Sequence, residues 1–158
     1  MHPSIKFMWD DYLARQPAPS RSSTDAPAAW HFCDNEADAN ECAQLVLTGK
    51  KRATSPSLWS FESSDEALPQ IGDLNIVTDW NGKAVCIIRT IKVHILPLNE
   101  ITETHASVEG EGDGSLDWWY KAHWDYYHHE LQGTGYAPQP DMPVVFQEFE
   151  CIFPASAA

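Results

Sequence analysis

Apolar side chains open the chain at helical intervals. In MHPSIKFMWDDYLARQ, the residues Ile5, Phe7, Met8, Trp9, Tyr12 and Leu13 mark out a short amphipathic helix that must pack its apolar side on the rest of the protein. The stretch after it, QPAPSRSSTDAPAA at residues 16–29, holds three prolines and almost nothing to bury, which predicts a flexible crossing. A second helical pattern follows. Asp34 can cap it, Glu36 and Asp38 suit its first turn, Ala39, Cys42, Ala43, Val46 and Leu47 recur at helical spacing, and Gly49 supplies a left-handed stop.

Beyond the helix the period shortens to that of a strand. DLNIVTDWNGKAVCIIRTIKVHIL reads as a strand, an Asn81-Gly82 turn and a long β-branched strand, together a β-hairpin. Residues 97–107 and 115–132 predict helices, the second opened by Ser115 with Asp117 in its first turn, and PVVFQEFECIF at 143–153 alternates like a closing strand. This order predicts an α+β fold with a small curved sheet or open barrel flanked by helices. The 158 residues suit one domain, with residues 1–29 as an N-terminal segment and linker packed on a body of residues 30–158.

Composition narrows the function classes. No apolar run approaches the roughly 20 residues of a membrane-spanning helix, so no membrane partner is expected. Charges scattered through the N-terminal stretch do not read as a secretory signal, and a cytoplasmic location is expected. Cys33, Cys42, Cys86 and Cys151 form no C-x-x-C pair, which predicts buried reduced thiols rather than a structural zinc site. A formal net charge of -13 argues against a broad grip on duplex DNA. Any polyanion would have to be held by a local basic cluster or a metal ion.

Such a cluster exists in LTGKKRATSP, where Lys50, Lys51 and Arg52 supply three of the ten Lys and Arg in the chain. One account is a charged helix terminus in solvent, where cations meet the negative end of the helix dipole for about 0.3–1 kcal/mol. The other is a site. GKKRAT fits G-x-K-x-x-T with Gly49, Lys51 and Thr54, a turn that can aim an ammonium and a hydroxyl at one small anion or carbonyl, and it lacks the P-loop spacing. Lys50, Arg52 and Ser57 are candidate substrate-binding neighbours.

Two further stretches carry candidate chemistry. HASVEGEGDGS alternates Glu109, Glu111 and Asp113 with glycines. These carboxylates form a solvated acidic loop, or wrap a hard cation such as Mg²⁺ or Mn²⁺ through Glu111 and Asp113, or supply one general acid/base; no cofactor is expected to be obligatory. SLDWWYKAHWDYYHHE sets Leu116, Trp119, Tyr120, His123, Trp124 and Tyr127 at steps of three or four, which predicts a mostly buried face. The spacings of His123, His128 and His129 do not aim two imidazoles at one metal. Rings at the helix edge are candidate platforms for an unpaired base, a contact worth about 1–3 kcal/mol each.

Taken together, LVLTGKKRATSPSLW, LPQIGDLNIVTDWNGKAVCIIRT, EGEGDGSLDWWYKAHWDYY and DMPVVFQEFECIFP resemble, in order over residues 30–154, the longer bacterial members of the ASCH family of the PUA-like superfamily. The resemblance implies a PUA-like β-barrel or curved sheet with a cleft, association with RNA and, in some compact members, hydrolysis of N4-acetylcytidine. By that likeness Lys51, Thr54 and Glu109 are the catalytic positions, while Pro56 stands where those members carry an arginine. The leading expectation is a ribonuclease acting on single-stranded RNA. An amidohydrolase acting on N4-acetylcytidine and a non-catalytic RNA-binding module are the alternatives, and the oligomeric state is left open.

Overall fold

A computed structural model describes residues 1–17 and 25–154. Residues 18–24 of the expected flexible crossing, and 155–158 at the end, lie outside the described residues. The helices are α1 (Pro3–Ala14), α2 (Glu36–Leu47), α3 (Leu58–Ser64), α4 (Glu103–Glu109) and α5 (Leu116–Glu130). The strands are β1 (Ala29–Trp30), β2 (Ala53–Thr54), β3 (Leu74–Thr78), β4 (Ala84–Pro97) and β5 (Pro143–Phe153). They form one curved, unclosed sheet in the order β1-β3-β4-β5-β2. The β1–β3 pair is parallel, whereas β3–β4 and β2–β5 are antiparallel, so the α+β class with a mixed sheet is as expected. Among the described residues no helix is long and apolar enough to cross a membrane.

Contacts divide the chain into two compact units, each using part of β4 and part of β5. The first unit holds α1, α2 and the hairpin. Pro3 at the first turn of α1 loses no hydrogen bond there, and Ile5 and Trp9 bury their side chains against Ile76 and Ile87. The N-terminal segment therefore docks on the hairpin, where the Ser4 hydroxyl accepts from the Ala84 amide at 2.8 Å. The cap of α2 is Asn35, not Asp34: the Asn35 side-chain oxygen accepts from the Asp38 amide at 2.9 Å, the distance along the chain a cap must reach. Gly49, at φ +80°, takes the left-handed stop. The hairpin connection is wider than a two-residue turn. Asp79 spans it by accepting from the Asn81 and Lys83 amides at 3.0 and 2.9 Å, next to a register shift at Val77/Thr78.

The second unit carries the apolar core of α5, with Trp119 and Tyr127 packed among Leu96, Leu98, Ile101, Ala106, Met142, Val144 and Phe146. Side chains of this size contribute about 1.5–3 kcal/mol each on full burial. The helix expected over 97–107 is in fact two pieces, a 3₁₀ turn at Leu98–Glu100 and then α4. Thr102 restarts the chain: its hydroxyl accepts from the His105 amide while the His105 ring accepts from the Thr102 amide at 2.9 Å, a reciprocal cap. That restart sets the phase of α4, and its last residue is Glu109.

Candidate functional site

Residues 51–57 run extended, and an extended chain sends successive side chains to opposite faces. Lys51, Ala53, Ser55 and Ser57 are buried, while Lys50 and Arg52 are exposed and Thr54 is half-buried. The backbone is fixed on both sides. Ala53 and Thr54 pair with Glu148 and Gln147 of β5, the Arg52 amide donates to the Val108 carbonyl at 2.9 Å, and the Arg52 carbonyl accepts from Phe149 at 3.0 Å. Lys51 is thus turned inward by the strand.

Inside, the Lys51 ammonium donates to the Ala53 carbonyl at 2.8 Å. It lies 3.6 Å from Glu109 Oε1 and 3.4 Å from Glu111 Oε2. Glu109 stands at the C-terminus of α4, where the helix dipole disfavours an anion, so its charge must be supported from elsewhere. Three donors supply that support at Oε2: the Ser55 hydroxyl at 2.9 Å, the Trp119 indole N–H, and His123 Nε2 at 3.3 Å. Oε1 makes no hydrogen bond among the described residues. Gly110, at φ +67°, makes the approach possible, because a Cβ there would stand 2.1 Å from the Lys50 carbonyl oxygen.

The charge states follow from this geometry. Burial opposes the Glu109 anion, yet His123, Lys51 and the Ser55 hydroxyl together hold its pKa below the ordinary carboxylate value. For His123 the balance has the opposite sign. Burial opposes the cation, but the Glu109 carboxylate outweighs it and raises the imidazole pKa. His123 Nδ1 faces the Trp119 carbonyl at 2.9 Å, which can only accept, so Nδ1 carries a proton and the second proton at Nε2 faces Glu109. The imidazole also stacks on the Trp119 indole, ring centroids 3.9 Å apart. Tyr127 closes the floor by donating to the Ser55 carbonyl at 2.6 Å, and burial pushes its phenol pKa well up.

Of the residues expected from the sequence, Lys51, Glu109 and Glu111 come together. Thr54 sits at the alternate position of the strand, and the hydroxyl that reaches Glu109 is that of Ser55. Ser57 is fully buried and otherwise engaged: its hydroxyl caps α3 by accepting from the Trp59 amide, and its own amide donates to Glu130 at 3.0 Å. Lys50 and Arg52 are exposed on either side of the buried Lys51. Asp113 is exposed and accepts from the Ser115 amide at 2.8 Å. Ser55, Trp119 and His123 were not singled out as site residues. The available signals were the two-residue alternation after Lys51 and the four-residue step from Trp119 to His123.

Glu109, Glu111 and His123 place one ligand atom each within 4.8 Å of one another. The oxygen and nitrogen donors suit a hard divalent ion, but the Lys51 ammonium already stands against both carboxylates. A charged lysine in that place does not fit a resident Mg²⁺ or Mn²⁺.

The family model for the ASCH domain matches residues 28–153. The fold and sequence are similar to the crystal structure of an ASCH domain from Lactobacillus crispatus JV V101, with 35% identity, 96% of this chain and 95% of that chain covered, and a TM-score of 0.89. They are also similar to a protein from Enterococcus faecalis V583, with 33% identity, coverage of 96% and 90%, and a TM-score of 0.84. No curated protein matches the chain. The extent of the family match, and the two structures that share the fold over nearly their whole length, show that this chain belongs to the ASCH domain family.

Proposed function

We propose that the protein cleaves single-stranded RNA by internal phosphoryl transfer, without a metal ion. The ASCH domain is a PUA-like fold often linked to RNA binding. The observation that carries the reading is the division of labour at Glu109: Oε2 is held by three donors, while Oε1 makes no hydrogen bond among the described residues and lies beside the Lys51 ammonium. In this reading Oε1 takes the proton of a ribose 2′-hydroxyl as O2′ attacks the adjacent phosphorus. The P–O5′ bond breaks, and the leaving O5′ takes a proton from the His123 imidazolium. Lys51 offsets the charge that builds on the non-bridging oxygens. The products are a 2′,3′-cyclic phosphate and a 5′-hydroxyl end. Water later returns the two protein protons to their starting places.

The test is incubation of labelled single-stranded RNA with purified protein, with and without EDTA. Cleavage that survives EDTA, leaves 2′,3′-cyclic ends and disappears in Lys51→Met supports the reading. Intact RNA, or cleavage that requires added metal, overturns it.

A second reading is amide hydrolysis of an N4-acylated cytidine, favoured by the closure of the site. Lys51 and Glu109 are 2% and 1% exposed, which suits a nucleoside better than a polymer. Here Ser55 takes the part that the sequence resemblance gives to Thr54. Release of acetate from N4-acetylcytidine, with RNA left intact, would select it.

A further inference from the structure

The first unit brings two thiols into contact. Cys33 lies in the turn between β1 and α2, and Cys42 lies on α2 itself. Their Sγ atoms are 3.6 Å apart, close to van der Waals contact. Their surroundings differ: Cys33 is half-buried and so within reach of a small solute, whereas Cys42 is 3% exposed. Cys33 also holds a left-handed backbone at φ +63°, a conformation that costs a residue with a side chain about 1–2 kcal/mol. That turn sets the half-exposed sulfur against the buried one.

We infer that Cys33 and Cys42 form a peroxide-oxidised modification site, with Cys33 as the attacked thiol and Cys42 as the resolving one. This inference goes beyond the reading of the Lys51 site and does not depend on it. In the first step the Cys33 thiolate attacks one oxygen of hydrogen peroxide, the O–O bond breaks, and water leaves after proton uptake, which gives a sulfenic acid. In the second step Cys42 sulfur attacks the Cys33 sulfur, the S–O bond breaks, and a second water leaves as the disulfide forms. Two thiols lose two electrons and one peroxide becomes two waters. A dithiol reductant reverses the change by exchange. The remaining gap between the sulfurs is about 1.5 Å beyond a disulfide bond length, a movement that side-chain rotation at an exposed turn can supply.

The experiment treats reduced full-length protein with hydrogen peroxide, blocks remaining thiols by alkylation, and maps peptides without reduction. The expected result is a linked pair of peptides carrying Cys33 and Cys42, lost on addition of dithiothreitol, with alkylation of Cys33 nearly abolished. In Cys42→Ser the Cys33 sulfur stops at sulfenic acid and is trapped by dimedone. Far-UV circular dichroism confirms that the variant is folded, and the wild-type map stands by itself if it is not. Recovery of Cys33 and Cys42 as free thiols after peroxide overturns the inference. So does a disulfide that joins either of them to Cys86 or Cys151.

Discussion

The Lys51 ammonium lies 3.6 Å from Glu109 Oε1, and both side chains are almost wholly buried although 58 positions separate them. Removing one partner leaves the other charge in a site built for two. Lys51→Met should therefore destabilise the protein by on the order of 3 kcal/mol, and adding Glu109→Gln should recover part of the loss. Urea unfolding midpoints of the two single variants and the double variant check this.

Stability should also depend on pH through the Glu109–His123 pair. Glu109 is held below its ordinary 4.5, so its contribution is complete above that value and is lost as pH falls through the lower folded pKa. His123 is held above its ordinary 6.5, so its contribution is complete below that value and is lost as pH rises through the higher folded pKa. The pair's stabilisation is thus greatest between pH 4.5 and 6.5. Denaturation across a pH series should show a basic-side decline in the wild type that is reduced in His123→Gln.

Phosphoryl transfer by these groups requires Glu109 ionised and His123 protonated. The cleavage rate should follow a bell, with its plateau covering pH 4.5 to 6.5 and its basic limb set by the raised imidazole. His123→Gln should lower the rate by about 10²–10⁴ and remove the basic limb. Initial rates on a short single-stranded RNA measure both effects.

Three glycines near the site should respond to alanine very differently. Gly110→Ala sets a Cβ 2.1 Å from a backbone oxygen that cannot move aside, and should cost on the order of 3 kcal/mol or more. Gly112→Ala meets the Trp118 indole at 2.2 Å and should displace that ring, read as a change in tryptophan fluorescence. Gly114→Ala meets nothing within 4 Å and should show only the left-handed backbone strain, about 1 kcal/mol. Denaturant midpoints rank the three.

The hydroxyl that matters should be that of Ser55. Ser55→Ala removes one donor from Glu109 Oε2, so the Glu109 pKa should rise and the acid limb of the activity profile should move to higher pH. Thr54→Ala, at the alternate strand position, should move that limb much less. Paired pH–rate profiles of the two variants decide the matter.

Much of the fold was legible in the sequence, because its signals are local. The apolar spacing of α1, the glycine stop after α2, the Ser115 cap of α5 and the alternation of β5 each act within a few residues. The broken helix at Leu98–Glu100 escaped that reading, since the interruption depends on a reciprocal Thr102–His105 cap. Strand β2, two residues long, has too short a pattern to register at all.

The sequence by itself offered Lys51 through a lysine close to a glycine stop and three carboxylates in a glycine-rich acidic stretch, and the family resemblance picked Glu109 from among them. Only the tertiary structure decided which groups complete the site. An extended strand sends alternate side chains to opposite faces, so pairing of Ala53 and Thr54 with β5 determined that Lys51 and Ser55 turn inward while Lys50 and Arg52 stay exposed. The Trp119 and His123 partners of Glu109 come from a different helix, and no periodicity along one segment encodes a contact made by packing against another.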